Sequence, residues 1–407
     1  MRSIFVEKSL PRMLAVKVLR SAWQDVIWSP LSPAKVVDLP EPELPGPEWL
    51  RVRNVQCGIC ASDLALLLVK VDPAVAPAAL PGNTRFFLGH EVIGEVTEIG
   101  EAVSLFDVGD RVVMESRFTG PTCFTQGIDP PCRYCASGQT RLCENASMGL
   151  GAEGMGGGWG DGYVAHESEL FRVPDDLDDD KSSLIEPMSV ALHGVLRAEP
   201  EDGQRVLVIG AGIIGLLTVQ AVKVVAPGAH LTVMARYPHQ IEAARRLGAD
   251  EVIAGGDLYE EVARVTGGNL YRAPMNRGMI LGGFDRIYDC VGSRDTIYDG
   301  LRWTRAGGAF VMVGISLGEL SIDLNPIWYQ EVDLIGSHTF GMETWRGRRA
   351  HTFELVTEMF QEGVLTDEGL ITHRFPFKDY KRAIATALDK HTGAIKVTFN
   401  FHDRPEG

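Results

Sequence analysis

The sequence predicts an α/β protein made of two domains that differ in pattern. The first third contains short β-strands interrupted by proline and glycine, which is typical of an antiparallel, barrel-like sheet. From about Pro187 onward, apolar strands alternate with helices, and this alternation indicates a doubly wound parallel sheet. A length of 407 residues also favours two domains, because one domain averages roughly 150 residues.

The elements follow from the spacing of apolar residues and turn signals. The predicted strands of the first domain are 48–55, 92–99 and 111–115. The predicted strands of the second domain are 205–209, 231–235, 284–290 and 308–313, and its predicted helices are 214–225 and 240–247. After Gly336 we expect one helix and a last strand that return to the first domain. The predicted domains are therefore residues 1–186 with 337–407, and residues 187–336.

Composition and charge restrict the class of partner. Hydrophobic residues make up 45% of the chain and charged residues 23%, which is the composition of a folded globular protein. Acidic residues outnumber basic ones, 54 to 39, so we expect no nucleic-acid partner, no membrane partner and instead a small-molecule ligand. Glu7, Lys8 and Pro11 interrupt the N-terminal segment, so we predict no secretion signal and a cytoplasmic location.

Cysteines are concentrated in one segment. Four of the seven lie close together in sequence, while Cys60 and the dipeptide His90-Glu91 lie upstream. Thiolate, imidazole and carboxylate are the ligands that Zn²⁺ prefers, and four thiolates form a closed structural site whereas a mixed set forms an open catalytic one. In an intracellular chain cysteines normally stay reduced, so we expect the clustered cysteines to bind a metal rather than to form disulfides. The clustered cysteines are Cys123, Cys132, Cys135 and Cys143.

A glycine motif predicts a dinucleotide site in the second domain. The apolar strand 206–209 leads directly into residues 210–215, which read G-x-G-x-x-G at the start of a helix. Gly210 permits a tight turn, Gly212 lets the backbone approach a pyrophosphate, and Gly215 lets the helix pack closely on the strand. The N-terminus of the helix adds N–H donors and a positive dipole end, so strand, motif and helix together predict a bound dinucleotide.

The next strand bears on the choice of dinucleotide. About 20 residues after the motif, an acidic residue would bind the adenosine ribose of NAD, but the strand ends in Ala235-Arg236-Tyr237. A guanidinium pairs well with a 2′-phosphate, so we predict NADP(H), with NAD(H) as the alternative if Arg236 is only a solvated residue at a helix start. The predicted cofactor-binding residues are Gly210, Gly212, Ile213, Ile214, Gly215 and Arg236.

These motifs together resemble a known family. The segment Cys57-Gly58-Ile59-Cys60-Ala61-Ser62-Asp63, Gly89-His90-Glu91, the cysteine segment, Glu186-Pro187 and the glycine motif occur in the order found in zinc-dependent alcohol and polyol dehydrogenases of the medium-chain dehydrogenase/reductase superfamily. The resemblance spans about residues 14 to 400. It implies a catalytic domain with a distorted β-barrel core, an inserted Rossmann domain, an active-site cleft between them, and a homodimer or homotetramer.

The resemblance also implies roles for single residues. Cys60 and His90 match the thiolate and imidazole ligands of the catalytic zinc, and either Glu91 or Glu186 would bind the metal directly or through water. Ser62 matches a hydroxyl that relays the substrate proton. Each carboxylate has a plainer interpretation as a buried acid satisfied by a neighbouring arginine or a backbone N–H.

The resemblance also bears on Cys57, Asp63, Ala65 and the cysteine segment. Cys57 is expected to be a packing residue, and Asp63 is expected to orient a metal ligand. Ala65 stands where many relatives have a histidine that passes the proton to solvent. The cysteine segment has Asp129 where relatives have their first cysteine, so the structural zinc is completed either by Cys123 or by Asp129.

The sequence therefore predicts an enzyme in which zinc polarises an alcohol oxygen and NADP(H) exchanges a hydride with a secondary alcohol or polyol and its carbonyl. One alternative is an NAD-dependent sugar or amino-alcohol dehydrogenase of the same fold. Another is a zinc-free reductase of the same superfamily, which the presence of Cys60, His90 and Glu91 argues against. The last is a non-enzymatic sensor that retains the nucleotide.

Overall fold

The computed structural model describes residues 1–72, 84–115, 121–146 and 155–402, apart from the side chain of Gln24. The chain divides into two compact units. The first unit comprises Met1–Glu186 and Phe353–Gly407, and the second comprises Pro187–Thr352. Among the described residues, no helix combines the length and the hydropathy needed to cross a membrane.

The elements are numbered in chain order. The strands are β1 (Arg2–Glu7), β2 (Ala34–Asp38), β3 (Trp49–Gly58), β4 (Arg85–Phe87), β5 (Val92–Ile99), β6 (Arg111–Met114), β7 (Gly162–His166), β8 (Leu170–Arg172), β9 (Arg205–Ile209), β10 (His230–Met234), β11 (Glu251–Ile253), β12 (Asn269–Tyr271), β13 (Met279–Leu281), β14 (Phe284–Asp289), β15 (Thr304–Met312), β16 (Asp333–Gly336), β17 (Met342–Trp345), β18 (Arg348–His351), β19 (Ile371–Pro376) and β20 (Lys396–Asn400). The helices are α1 (Leu10–Leu19), α2 (Ala61–Leu67), α3 (Arg133–Ala136), α4 (Asp179–Leu196), α5 (Ile213–Val225), α6 (Pro238–Arg246), α7 (Leu258–Thr266), α8 (Arg294–Trp303), α9 (Asn325–Gln330), α10 (Thr352–Gln361) and α11 (Tyr380–Leu388).

The first unit is built on a seven-stranded sheet centred on β3. The path of this sheet is β19-β20-β3-β5-β6-β8, and β7 also pairs with β3. Five of these pairs are antiparallel, as the interrupted strand pattern predicts, and only the pair of β19 with β20 in this sheet is parallel. A smaller sheet has the order β2-β1-β4. Because β20 from the C-terminal segment is hydrogen-bonded to β3, the tail belongs to this unit.

The second unit is a six-stranded sheet of order β11-β10-β9-β14-β15-β16. Every pair in it is parallel, which is the doubly wound arrangement expected from the alternating pattern. The apolar run of β9 is buried on both faces, as parallel strands covered by helices require. The α/β prediction with a Rossmann sheet is confirmed, although β15 begins at Thr304, four residues before its predicted start at residue 308.

Residues 337–352 differ from the predicted domain assignment. The sequence analysis ended the second domain at residue 336, whereas the second unit ends at Thr352. In this segment β17 and β18 form an antiparallel hairpin, and Glu343 in β17 accepts a 2.5 Å hydrogen bond from the buried ring of His193 in α4. Contacts of this kind join the hairpin to the second unit, and the strand pattern alone could not indicate them.

Candidate metal and dinucleotide sites

A mixed group of metal-binding side chains lies where β3 ends and β5 begins. Cys60 caps α2 just after β3, and His90 and Glu91 immediately precede β5. The Gly58 N–H donates to the Glu91 carbonyl at 2.8 Å, and a side chain at Gly58 would lie only 2.1 Å from the Glu91 carboxylate. This pairing brings one potential ligand atom each from Cys60, His90 and Glu91 within 4.8 Å of one another.

Asp63 orients the histidine of this group. Its carboxylate is buried, accepts the Gly89 N–H at 3.0 Å, and lies 3.3 Å from Nδ1 of His90. A carboxylate on one ring nitrogen fixes the ring and leaves Nε2 for a metal, which is how metal-binding histidines are held in proteins. The expected supporting role of Asp63 therefore has a geometric basis.

Glu91 forms a buried ion pair with a lysine that the sequence did not indicate as its partner. Lys396 in β20 donates to Oε2 of Glu91, and both side chains are only 1% exposed. The second carboxylate oxygen, Oε1, is buried and has no hydrogen-bond partner among the described residues. A buried oxygen without a partner is costly, and coordination of a cation would satisfy it.

The electrostatics of the group match a cation site. Burial alone lowers the pKa of His90, but the negative charges of Asp63 and Cys60 outweigh burial and raise that pKa well above its ordinary value. Burial, reinforced by the charge of Glu91, raises the pKa of Glu186 to about 7 against the lowering effect of His90 and Lys396. Concentrated negative charge and a buried unsatisfied oxygen are therefore present together.

The donor set fits Zn²⁺. One sulfur, one imidazole nitrogen and one carboxylate oxygen are three ligands of the kind that catalytic zinc sites use, with a further position left for water or substrate. Glu186 does not belong to the group of mutually close donors, although its charge interacts with His90 and Glu91. Ser62 lies beside the group, where its hydroxyl donates to Sγ of Cys60 at 3.1 Å.

The clustered cysteines form a second group. Sγ of Cys143 lies 3.6 Å from Sγ of Cys123 and 4.0 Å from that of Cys132, and all four sulfurs, including that of Cys135, lie within 4.8 Å of one another. Hydrogen bonds from backbone N–H groups lower the pKa of Cys132 to about 6, which favours the thiolate that a metal requires. Asp129 is not in this group.

All seven cysteines of the chain are free thiols, so the four clustered sulfurs are not joined by disulfides. Backbone N–H of Cys132 and the side-chain amide of Asn145 donate to Sγ of Cys123 at 3.3 and 3.2 Å. Such donors stabilise a thiolate in the manner of supporting contacts around structural zinc. The group therefore fits a closed tetrahedral zinc site with four sulfur ligands.

The glycine motif has the geometry expected for binding a dinucleotide. Gly210 has φ of +94°, which a residue with a side chain rarely adopts. A side chain at Gly215 would lie 1.8 Å from the Gly210 carbonyl, so the helix can pack here only without one. A side chain at Gly212 would instead meet no atom within 4 Å. Open space beside Gly212, at the N-terminus of the 13-residue helix α5, suits a pyrophosphate.

Arg236 lies at the carboxyl end of β10, beside this motif. The Gly210 N–H donates to the carbonyl of Met234 at 3.1 Å, which joins the motif to the end of that strand. The Arg236 side chain is exposed, with its guanidinium 5.9 Å from the ring centre of Tyr237. Across the described part of the chain, no carboxylate forms an ion pair with Arg236, so its charge is available to an anion.

Lys396 is the functional residue that the sequence analysis missed. The sequence offered one signal, since Lys396 is the one charged residue in the mostly apolar segment 394–399, which corresponds to the predicted last strand. A lysine in such a run is buried only when paired, and this could have prompted a search for its carboxylate.

Comparison with known proteins shows the family of the chain. Residues 46–175 match the model of the alcohol dehydrogenase GroES-like domain, and residues 214–354 match the model of the zinc-binding dehydrogenase. L-idonate 5-dehydrogenase of Vitis vinifera is 32% identical over 363 residues, covering 87% of this chain and 88% of the relative. Sorbitol dehydrogenase of Arabidopsis thaliana is 30% identical over 365 residues, covering 87% of this chain and 89% of the relative.

A solved structure shows the same architecture. The 2R,3R-butanediol dehydrogenase of Bacillus subtilis superposes with a TM-score of 0.69 at 26% identity, covering 91% of this chain and 96% of that one. The family models, the identity to curated relatives and the shared fold lead to one conclusion. The chain belongs to the zinc-dependent alcohol and polyol dehydrogenases of the medium-chain dehydrogenase/reductase superfamily and is an oxidoreductase.

Proposed function

We propose that this dehydrogenase transfers a hydride between NADP(H) and a secondary alcohol or polyol and its carbonyl. The observation that carries the proposal is the mutual approach of Cys60, His90 and Glu91 to within 4.8 Å, with one buried Glu91 oxygen lacking a partner. The names of the relatives, an idonate and a sorbitol dehydrogenase, support a polyhydroxylated substrate.

Cys60, His90 and Glu91 would hold the catalytic zinc, and Glu186 would act beside them, through water. When bound, zinc supplies Lewis acidity to an alcohol oxygen and the nicotinamide supplies or accepts the hydride. Asp63 holds the His90 ring by Nδ1, so that the ligand nitrogen stays in place during turnover. Lys396 holds one oxygen of Glu91 and leaves the other for the metal.

Ser62 would move the substrate proton. Its hydroxyl lies 3.1 Å from Sγ of Cys60, one of the three proposed zinc ligands. A hydroxyl can accept one proton while donating its own, as a relay requires. With Ala65 in place of a histidine, Glu186, whose pKa is raised to about 7, is the proposed next acceptor or the group that orders an acceptor water.

NADP(H) is proposed over NAD(H) because Arg236 is exposed at the end of β10, where an acidic residue would bind the ribose of NAD. The test measures kcat/KM for NADP⁺ and NAD⁺ in the wild-type protein and in Arg236→Ala. We expect the ratio to favour NADP⁺ and to fall about tenfold in the variant, the value of one charge-assisted hydrogen bond. A wild-type ratio that favours NAD⁺ would contradict the cofactor assignment alone.

The reaction itself is tested with a panel of polyols, sugars, amino alcohols and secondary alcohols, followed by NADPH absorbance. Cys60→Ala should abolish turnover and lose the zinc ion of this group, yet retain nucleotide binding. Cys57→Ala is the matched control, since this neighbouring thiol is buried and outside the group of close donors. Full turnover by Cys60→Ala would refute the proposal.

Two further assignments belong to the same proposal. Cys123, Cys132, Cys135 and Cys143 would hold a structural zinc, and the reduced state of all seven cysteines favours a cytoplasmic location.

The proposed homodimer or homotetramer has a candidate surface in the second unit. There β16 is the last strand of its sheet, and Trp328 and Tyr329 nearby are 82% and 63% exposed. Light scattering of the wild-type protein and of Trp328→Glu tests this surface. We expect the mass of the particle to fall in the variant, and a wild-type protein that is already monomeric would exclude it.

A further inference from the structure

The N-terminal helix α1 is apolar on two faces. Met13 and Val16 are buried against the first unit, as one face of a surface helix should be. The opposite face carries Leu10, Leu14 and Val18, which are 56%, 49% and 72% exposed. These residues are spaced four apart, so they form one continuous row along the helix.

The apolar surface continues beyond the helix. We call it the N-terminal apolar face, and it comprises six large exposed side chains within 22 residues of sequence: Leu10, Leu14, Val18, Leu19, Trp23 and Leu31. So many large exposed apolar side chains in one short segment are unusual on a soluble surface and indicate an interaction site. Tryptophan is also the residue that most favours a membrane interface, because its ring is apolar and its N–H is polar.

The charge around this face is opposite to that of the whole protein. Residues 7–38 contain five basic side chains, Lys8, Arg12, Lys17, Arg20 and Lys35, and three acidic ones, Glu7, Asp25 and Asp38, which leaves a small basic excess. Arg12 is paired with Glu7, and Arg20 donates to the carbonyl of Leu68 at 2.8 Å. Lys381 adds a further positive charge, since its ammonium lies 5.8 Å from the ring centre of Trp28 in the neighbouring 3₁₀ helix.

The local charge decides which partner can approach. The net charge of −15 would repel an anionic partner only if the negative charge were spread evenly over the protein. Salt screens charges that lie more than about 8 Å apart, so the charges near the contact are the ones that matter. At the N-terminal apolar face the local excess is basic, which favours anionic headgroups. The same excess disfavours a symmetric contact with a second copy, which would place these basic residues against themselves.

We propose that the N-terminal apolar face docks reversibly on an anionic lipid bilayer, with the row Leu10, Leu14 and Val18 inserted among the headgroups and Lys17 at its edge. An amphipathic basic helix lying in the interface is a known mode of peripheral binding. Since α1 has only ten residues, its binding is weak and depends on both the apolar row and the anionic charge.

The test is flotation of the full-length, zinc-loaded protein with vesicles. One set of vesicles is phosphatidylcholine alone, and the other contains equal parts of phosphatidylcholine and phosphatidylglycerol. We expect flotation with the anionic vesicles, loss of flotation at high salt, and none with neutral vesicles. Leu14→Gln/Val18→Gln should lower the partition coefficient about tenfold, because two inserted side chains are lost.

The matched control is Leu105→Gln/Val108→Gln, which changes two equally exposed apolar side chains of the first unit, 58% and 61% exposed, away from α1. The control should float like the wild-type protein, and all variants should keep their zinc content and unfolding temperature. Failure of the wild-type protein to float with anionic vesicles would overturn the proposal, as would equal flotation of Leu14→Gln/Val18→Gln. A lower particle mass for that variant in light scattering would assign the face to a second copy instead.

Discussion

Replacing Lys396 by methionine removes the cation that pairs with Glu91 in the described part of the chain. The two side chains are each 1% exposed, so solvent cannot take the place of the lysine. Methionine has a similar length and no charge, and the substitution therefore removes the ion pair without leaving a large cavity. The metal-free and zinc-loaded proteins should respond differently, because a bound cation also compensates Glu91.

The size of the effect follows from the burial. Removing one partner of a buried ion pair costs about 3–5 kcal/mol, because the remaining charge stays buried. In a unit of this size, each kcal/mol lowers the unfolding temperature by about 2–4 °C, so the metal-free variant should unfold roughly 10 °C earlier than the metal-free wild-type protein. In the zinc-loaded proteins the difference in unfolding temperature should shrink to a few degrees. Zinc compensates the unpaired charge of Glu91, so it should stabilise the variant more than it stabilises the wild-type protein.

Calorimetry of both proteins, with saturating zinc and after dialysis against a chelator, measures the four transitions. The contribution of the four-cysteine group is common to both proteins and cancels in the comparison. Lys396→Met/Glu91→Gln is the control, because it removes both charges and should recover most of the metal-free stability. If zinc raises the unfolding temperature of Lys396→Met and of the wild-type protein equally, Glu91 does not bind the metal and the reasoning is wrong.

Three further predictions concern the other sites. Burial, together with the charge of the nearby Glu169, raises the pKa of Glu115 to about 7 despite the hydrogen bond from Thr140. The free energy of unfolding should therefore fall by up to about 3 kcal/mol as pH rises from about 4.5 to about 7. Glu115→Gln should show a flatter dependence of unfolding temperature on pH, and an unchanged slope would refute this. Cys123→Ser should lose one zinc ion per chain in elemental analysis whereas Asp129→Asn keeps both, and the reverse pattern would show that Asp129 is the ligand. The free energy of unfolding of Gly212→Ala should lie within about 1 kcal/mol of the wild-type value, since the added methyl group meets no atom of the described residues. The same methyl group would occupy the space proposed for the pyrophosphate, so a fluorescence titration should show about tenfold weaker binding of the dinucleotide. Equal binding would mean that the pyrophosphate does not approach this residue.

The sequence was informative where function depends on local spacing. The four cysteines and the glycine motif each lie within a short segment, so their residue types and intervals predicted both groups and left only the choice between Cys123 and Asp129 open. The ion pair between Glu91 and Lys396 joins residues 305 apart, and no local pattern could predict it. The exposed row on α1 was missed for a different reason, because an apolar repeat does not indicate which of its faces is buried.

The two metal groups differ in charge, and this difference explains why they suit different tasks. Cys60 and Glu91 bring two negative charges and His90 none, so a divalent cation there is balanced without excess, and the buried Lys396 adds positive charge nearby. Four thiolates bring four negative charges, so a zinc ion there is over-compensated and has no open ligand position. Lewis acidity requires both a vacant position and little donated negative charge. The mixed group would meet both conditions, and the contact of Asp63 with His90 and the hydrogen bond of Lys396 to Glu91 would preserve them by holding the two ligands in place.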